Sequence, residues 1–460
     1  VTSEPRHITL EQWDRRYAEL RAAGLREPAY GGPLRRHLDD GDRRLEQLRY
    51  DDSPASLRLW NFLLTEEDRL RDARAAGEKL VGTMKDLGTV PVMAYALDGL
   101  RAFYPDGAWW IPCVMNLSAG LLRIADSLGV DEAFCPVRAM LGAFVTGAHF
   151  PRPDLLICSV GAVCDDFSAI AQRLNGLGYP ILWWEIVHRR PPAPGEPAVT
   201  LPGGVKAPTS QVAFVRGELQ RVRAALETLA GQSLDDARLA AGIARANQVR
   251  RRLRTLRELA FTADAGPLPA LELLLAEMLA IHFCSDQPEA TAVLDELIAE
   301  AERRVASGSG VLPADAARVF CVNPVADLRV MNLLERCGGR VCGTEYLFAH
   351  ALDPIPDDVE PIEALARAAL ADPMVGSAAD RAERICHDAR RFRSDAILIS
   401  RIPGASHCAL EGGIIADVVR ARLGLPVAEI EVPPIADAIE PTLRTRIEAL
   451  IETAIRRRTS

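Results

Sequence analysis

The chain has 460 residues, 48% hydrophobic and 25% charged, with a formal net charge of −9. That composition fits a globular protein of two or three units and excludes a disordered, collagen-like or low-complexity chain, while the acidic balance argues against a general nucleic-acid binder. Ten cysteines are too dilute for a disulfide scaffold, no basic-then-apolar leader is legible, and the most apolar stretch, 268–283, is interrupted by Glu272 and Glu277, so the expectation is a protein of the reducing cytoplasm with no membrane span.

In chain order, residues 1–88 show helical spacing at 10–23 and 66–87 and read as a helical N-terminal extension. Short apolar runs then alternate with helical patterns. Strands are predicted at 89–95 and 109–111, helices at 116–128 and 135–145, a strand at 154–160, a helix at 166–177 and a strand at 180–187. Together they give a first α/β domain over 89–209. Six prolines and three glycines in 188–209 mark its last part as a connection. Long helices at 211–261 and 270–307 fill a connecting region, 210–315. A second α/β domain, 316–460, is predicted from strands at 319–323, 340–343, 396–400 and 427–432. Its helices are expected at 327–337, 361–370, 379–392, 412–423 and from 441. Strands alternating with helices imply parallel sheets, so the expected fold is α/β, with two Rossmann- or flavodoxin-like domains joined by long helices.

The two halves repeat one unit. Asp154-Leu-Leu-Ile-Cys-Ser159 runs to Cys164, a helix, and Gly178-Tyr-Pro-Ile181; Asp395-Ala-Ile-Leu-Ile-Ser400 runs to Cys408, a helix, and Gly424-Leu-Pro-Val427. Each cysteine falls just past the carboxyl end of a predicted parallel strand, where open α/β sheets place their ligands. Two such domains facing one another bring Cys164 and Cys408 to a shared cleft. Cys135, ahead of Pro136 at a predicted helix start, is a third candidate, because helix N-termini favour thiolates. Three thiolates with no nearby fourth suit a metal or an iron–sulfur cluster with one open iron; the alternative is three buried core cysteines.

The remaining cysteines are less informative. Cys158, Cys284, Cys321 and Cys386 fall inside regular elements and read as core, and Cys337 and Cys342 flank a Gly-Gly turn. No Cys-x-x-Cys pair, P-loop or Gly-x-Ser-x-Gly elbow occurs. His407, beside Cys408, reads either as a proton donor at a reducing centre or as a loop histidine bonded to backbone. Glu411, His350 and Glu345 are weaker candidates of the same kind. The run from Arg250 to Arg257 reads as a solvated helix face, or as a patch for CoA phosphates or a partner's acidic surface. Trp109-Trp110 and Trp183-Trp184 read as packed strand residues or as the lining of an aromatic pocket.

Several local patterns occur in a familiar order. They are Ile111-Pro112 with Ser118-Ala-Gly120, Phe134-Cys-Pro-Val-Arg138, Val163-Cys-Asp165 and Phe214-x-x-x-Glu218-Leu219. Arg336-Cys-Gly-Gly339, Ser406-His-Cys408 before a helix and Gly-Leu-Pro, and Leu443-Arg-Thr-Arg-Ile-Glu448 follow. Over roughly 89–455 the chain resembles the superfamily of 2-hydroxyacyl-CoA dehydratase and benzoyl-CoA reductase subunits, which includes double-cubane cluster proteins. The resemblance implies a [4Fe–4S] cluster on Cys135, Cys164 and Cys408. It implies low-potential one-electron reduction of an acyl-CoA or aromatic-CoA thioester to a ketyl-type radical. His407 and Glu411, by their place beside Cys408 rather than by the resemblance, are the candidate catalytic residues. The resemblance also implies a related second subunit, or a second copy, and a separate ATP-dependent iron–sulfur activator.

One departure matters. Relatives often carry a glutamate soon after the proline matching Pro112, whereas Cys113 follows it here. That tips the expectation slightly toward a benzoyl-CoA reductase type enzyme over a dehydratase. Cys113 with Cys342 or Cys337 would instead suit a second cubane, giving a homodimeric double-cubane [8Fe–9S] reductase of small molecules. A third reading is a non-catalytic partner subunit that keeps only the fold.

Overall fold

The computed structural model describes residues 5–27, 31–38, 43–84, 88–107, 118–282, 285–434 and 436–459. It opens with helices α1 (Leu10–Ala22), α2 (Pro54–Leu64) and α3 (Glu66–Ala75). Thr9 and Gln12 form a reciprocal capping box at the start of α1. The helical reading of 66–87 ends at Ala75. Gly77, at φ 85°, turns the chain, and Lys79–Met84 is strand β1 of the first sheet. After Lys79 every residue of β1 is buried, so it shows the continuous apolar run of a strand covered on both faces.

The predicted strand at 89–95 is instead helix α4 (Val90–Tyr95). Pro91 lies in its first turn, where a missing N–H costs nothing, and so short an apolar run carries no period of its own. Next come β2 (Leu100–Phe103), α5 (Ser118–Ser127), α6 (Ala139–Thr146), β3 (Leu155–Gly161), α7 (Asp165–Gly176) and β4 (Ile181–Ile186). The predicted strand at 109–111 lies outside the described residues. The proline-rich connection holds a small antiparallel pair, β5 (Ala198–Thr200) and β6 (Lys206–Pro208).

Four helices follow: α8 (Thr209–Ala230), α9 (Asp236–Thr262), α10 (Ala270–His282) and α11 (Gln287–Ala306). The second half runs β7 (Ala317–Val322), α12 (Arg329–Arg336), β8 (Gly339–Glu345), α13 (Pro361–Leu370) and α14 (Ala378–Arg391). It ends with β9 (Ala396–Arg401), α15 (Ser406–Leu410), α16 (Gly412–Leu423), β10 (Val427–Glu431) and α17 (Glu440–Thr459).

Among the described residues both sheets are four-stranded and wholly parallel, in the orders β2-β1-β3-β4 and β10-β9-β7-β8. Numbered within its own half, each has the order 2-1-3-4, so the repeat legible in the sequence is a repeat of topology. The order reverses between the first and third strands, the switch point at which such sheets bind ligands beyond their carboxyl ends. Helix α9 packs against α4 of the first half and β8 of the second. Its buried Arg250 donates to the Gly88 carbonyl (3.2 Å) and the Asp353 carbonyl (2.7 Å), tying the halves together. Asn247 and Ile355 exchange two 2.8 Å hydrogen bonds beside it.

Candidate functional site

Both sheets aim their carboxyl ends at one chamber. Asp106 follows β2, Cys164 follows β3, Pro324 follows β7, Tyr346 follows β8 and Cys408 follows β9, and all five line it together with Cys135. Its empty volume, including the part open to solvent, is about 670 Å³. The walls are mainly apolar, with Phe167, Ile281, Phe348, Met374 and Ile402 among them.

Each cysteine is placed by a turn. Cys135 precedes the 3₁₀ turn Pro136–Arg138, and Cys164 precedes the first residue of α7, so both sit at helical N-termini. Cys408 lies in the short helix α15 and is buried. Asp166 connects the first two: its Oδ1 accepts the Cys135 backbone N–H at 3.0 Å and its Oδ2 accepts the Cys164 thiol at 3.0 Å. Burial pushes the Cys135 thiol well above its ordinary range, and the charges of Cys164, Asp166 and Cys408 add to that, against a bond from the Val137 backbone that lowers it.

The second half reaches the first through a glycine. Gly404 has φ +78°, and a Cβ there would stand 2.4 Å from the Phe134 carbonyl oxygen and 3.1 Å from the Cys135 nitrogen. Only a residue without a side chain lets the β9 loop lie this close to the Cys135 turn.

Beneath the Cys408 loop is a buried polar network. Asn323, at φ 62°, donates its amide to the carbonyls of Ser400 (2.7 Å) and Cys408 (3.3 Å). Its Oδ1 accepts from Arg381, which also bonds Glu345 and, at 2.8 Å, Glu411. Burial works against the Arg381 charge, but Glu345 and Glu411 outweigh it and hold the guanidinium above its ordinary range.

The sequence candidates therefore divide. Cys135, Cys164, Cys408 and His407 line one chamber. His407 Nε2 lies 3.3 Å from the Met374 carbonyl and Nδ1 3.2 Å from Ser406 Oγ, so the backbone-bonded histidine and the chamber histidine are the same residue. Glu411 and Glu345 are tied to Arg381 instead, and neither lines the chamber. Cys342 lies in β8 with its sulfur 3.4 Å from Ser394 Oγ, ahead of β9 and so at the amino-terminal end of the sheet, away from the chamber. Cys337, at the end of α12, does not line it either. Cys113, Cys284 and Trp109-Trp110 lie outside the described residues, as does the side chain of His350. Trp184 is buried in β4, and neither it nor Trp183 lines the chamber.

Sequence reading missed Asp166, Gly404, Asn323, Arg381 and Tyr346. Two carried a signal: Asp166 lies two residues after Cys164, and Pro403-Gly404 is a turn dipeptide. Tyr346 is buried in the chamber wall, and burial, with Cys321 and Glu277 nearby, holds its phenol protonated well above the usual range.

Among the described residues, no group of three or more His, Cys, Asp or Glu side chains is gathered tightly enough to hold a single metal ion. The three cysteines nevertheless line one chamber. Soft thiolate donors select iron–sulfur clusters, zinc or copper(I) over magnesium or calcium. A structural zinc site would need a fourth ligand. A group wider than one ion, bound through three sulfurs, fits this donor set.

A family model described as "2-hydroxyglutaryl-CoA dehydratase, D-component" matches residues 91–454, well over half of the chain. Comparison with curated proteins finds no match. No helix among the described residues is long and apolar enough to cross a membrane.

Proposed function

The chain belongs to the 2-hydroxyglutaryl-CoA dehydratase D-component family, and from that membership we propose that it is the iron–sulfur subunit of a 2-hydroxyacyl-CoA dehydratase type enzyme. Cys135, Cys164 and Cys408 would hold a [4Fe–4S] cluster, leaving one iron open to the chamber. The observation that carries this reading is the convergence of these three thiols, from both halves of the chain, on one apolar chamber at the switch points of two matching sheets.

When bound, such a cluster supplies single low-potential electrons for reduction of a CoA thioester. The chain's own residues prepare the place. Phe167, Ile281, Phe348 and Ile402 keep the chamber poor in water, which strengthens every electrostatic interaction inside it. The Met374 carbonyl favours the proton on His407 Nε2, with Ser406 at Nδ1. His407 is the proton source in the chamber wall. Arg381 and Asn323 fix the loop carrying Cys408.

The family's D-component description speaks of a multi-component enzyme, and the companion subunit and ATP-dependent activator belong to the same proposal. Reduction of an aromatic CoA thioester, as in benzoyl-CoA reductases, would use the same chamber and the same electron, and product analysis separates the two. Neither Cys342 nor Cys337 lines the chamber, so the described residues favour one cluster over two.

Anaerobic reconstitution with iron and sulfide tests the ligand set. The wild type is expected to gain the broad visible absorption of a thiolate-bound cluster, and Cys135→Ser, Cys164→Ser and Cys408→Ser each to lose most of it. Equal absorption from all four proteins would refute the assignment.

A further inference from the structure

The run from Arg250 to Arg257 is divided by the helical period of α9. Arg250 and Arg257 turn inward with Leu253 and Leu256, while Arg251 and Arg254 remain exposed. The outward pair stands three residues apart and so shares one face. That face forms one wall of a concave pocket of about 1,040 Å³ of empty volume, including the part open to solvent, closed by α14 and the stretch 352–353.

Among the described residues, five arginines line this pocket against three carboxylates, in a chain whose net charge is −9. The partners account for part of that charge only. Arg257 is committed to Glu277 and Thr344, Arg384 to Asp353 at 2.8 Å and Arg391 to Glu258 at 2.6 Å. The side chains of Arg251 and Arg254 have no hydrogen bond or ion pair among the described residues. Arg391 uses one terminal nitrogen on Glu258, and a guanidinium carries five N–H donors. Like charges held in a concave site raise its potential and repel one another unless an anion is bound. The planar fork of arginine matches phosphate oxygens bidentately.

We infer that this pocket binds a phosphorylated small molecule with two adjacent phosphates, which Arg251 and Arg254 meet first. Two sources share that chemistry: a free nucleoside diphosphate, and the diphosphate of a CoA thioester. The pocket is not remote from the cysteine chamber. Tyr346, Leu347 and Phe348 line the chamber, and Leu352 and Asp353, a few residues on, line the arginine pocket. Assigning the site to a CoA thioester rests on the function proposed above. The phosphate site itself does not.

Isothermal titration of the full chain at low ionic strength, with inorganic pyrophosphate, ADP and coenzyme A in turn, tests it whether or not iron is present. Saturable binding of pyrophosphate at one site per chain is expected, weakened at least tenfold in Arg251→Ala/Arg254→Ala. Both positions are exposed on a helix, where alanine is well tolerated. Coenzyme A binding more tightly than ADP would identify the thioester as the source; ADP binding equally or more tightly would identify a free nucleotide. Absence of saturable binding for all three probes, or binding unchanged in the double variant, would overturn the inference.

Discussion

Ser406 Oγ lies 3.9 Å from the sulfur of Cys164, although the two residues are 242 positions apart in the chain. The contact joins the loop after β9 to the N-terminus of α7, and so joins the two sheets at the wall of their shared chamber. The chamber is a product of docking the two halves, and its chemistry depends on how closely they approach.

That closeness is tested at Gly404. Alanine there would place its Cβ against the Phe134 carbonyl at 2.4 Å while holding φ at +78°. Left-handed strain and overpacking each cost about 1–3 kcal/mol. Gly404→Ala is expected to lower stability by about 2–4 kcal/mol in chemical denaturation and to reduce cluster loading, because the strain is relieved only by moving Cys408 away from Cys135. A variant with wild-type stability and wild-type iron content would show that the loop has slack.

Cysteine position, not cysteine number, is expected to decide iron content. Cys342→Ser lies toward the amino-terminal end of the second sheet, beside Ser394, and should retain the full iron complement of the wild type. Cys164→Ser should retain little. Elemental analysis of the two proteins, prepared side by side without oxygen, makes the comparison; iron loss in Cys342→Ser would restore the case for a second cluster.

Arg381 is the most exposed to failure of the supporting groups, since its side chain is fully buried between Glu345, Glu411 and Asn323. Removing one partner of a buried ion pair costs about 3–5 kcal/mol. Arg381→Met is expected to lose about that much in urea denaturation. Glu411→Gln keeps a hydrogen-bond acceptor beside the guanidinium and should lose about 1–2 kcal/mol while keeping its iron.

In the first turn of α10, Glu272 accepts from the Asp51 backbone N–H at 3.0 Å and from Ser56 and Trp60, each at 3.3 Å. Burial, then the nearby Asp51 charge, pushes its carboxyl up to about 7 from an ordinary 4.5. Between those values the folded chain keeps a proton that the unfolded chain has released, so stability falls as pH rises from about 4.5 to about 7. The loss is about 3 kcal/mol. His7, raised by Glu335 despite its burial, acts in the same direction. Glu272→Gln should flatten most of the slope in melting temperature measured across pH 5 to 8; an unchanged slope would mean that Glu272 is ionised in the fold.

The sequence was most informative where period and punctuation agreed. Helices at 361–370 and 412–423 have the expected ends, bounded by Pro361 and Gly424, and the repeat anticipated that both halves would place a cysteine after their third strand. It was least informative where an element is short and buried. Nothing in Lys79–Met84 separates a central strand from the end of the helix before it, and Val90–Tyr95 is one turn and a half with no measurable period. The groups that hold the site in place were invisible for another reason. Arg381 and Asn323 act through contacts between residues distant in sequence, which leave no spacing to read. Glu411, close to Cys408 in sequence, turned out to face a guanidinium.

The most direct measurement is iron and acid-labile sulfide per chain, on protein purified without oxygen, with electron paramagnetic resonance after reduction. One cluster on Cys135, Cys164 and Cys408 predicts about four iron and four sulfide per chain and a cubane-type reduced signal. Protein that is folded, freshly expressed and free of iron would contradict it, and would leave the chain a structural component of its enzyme.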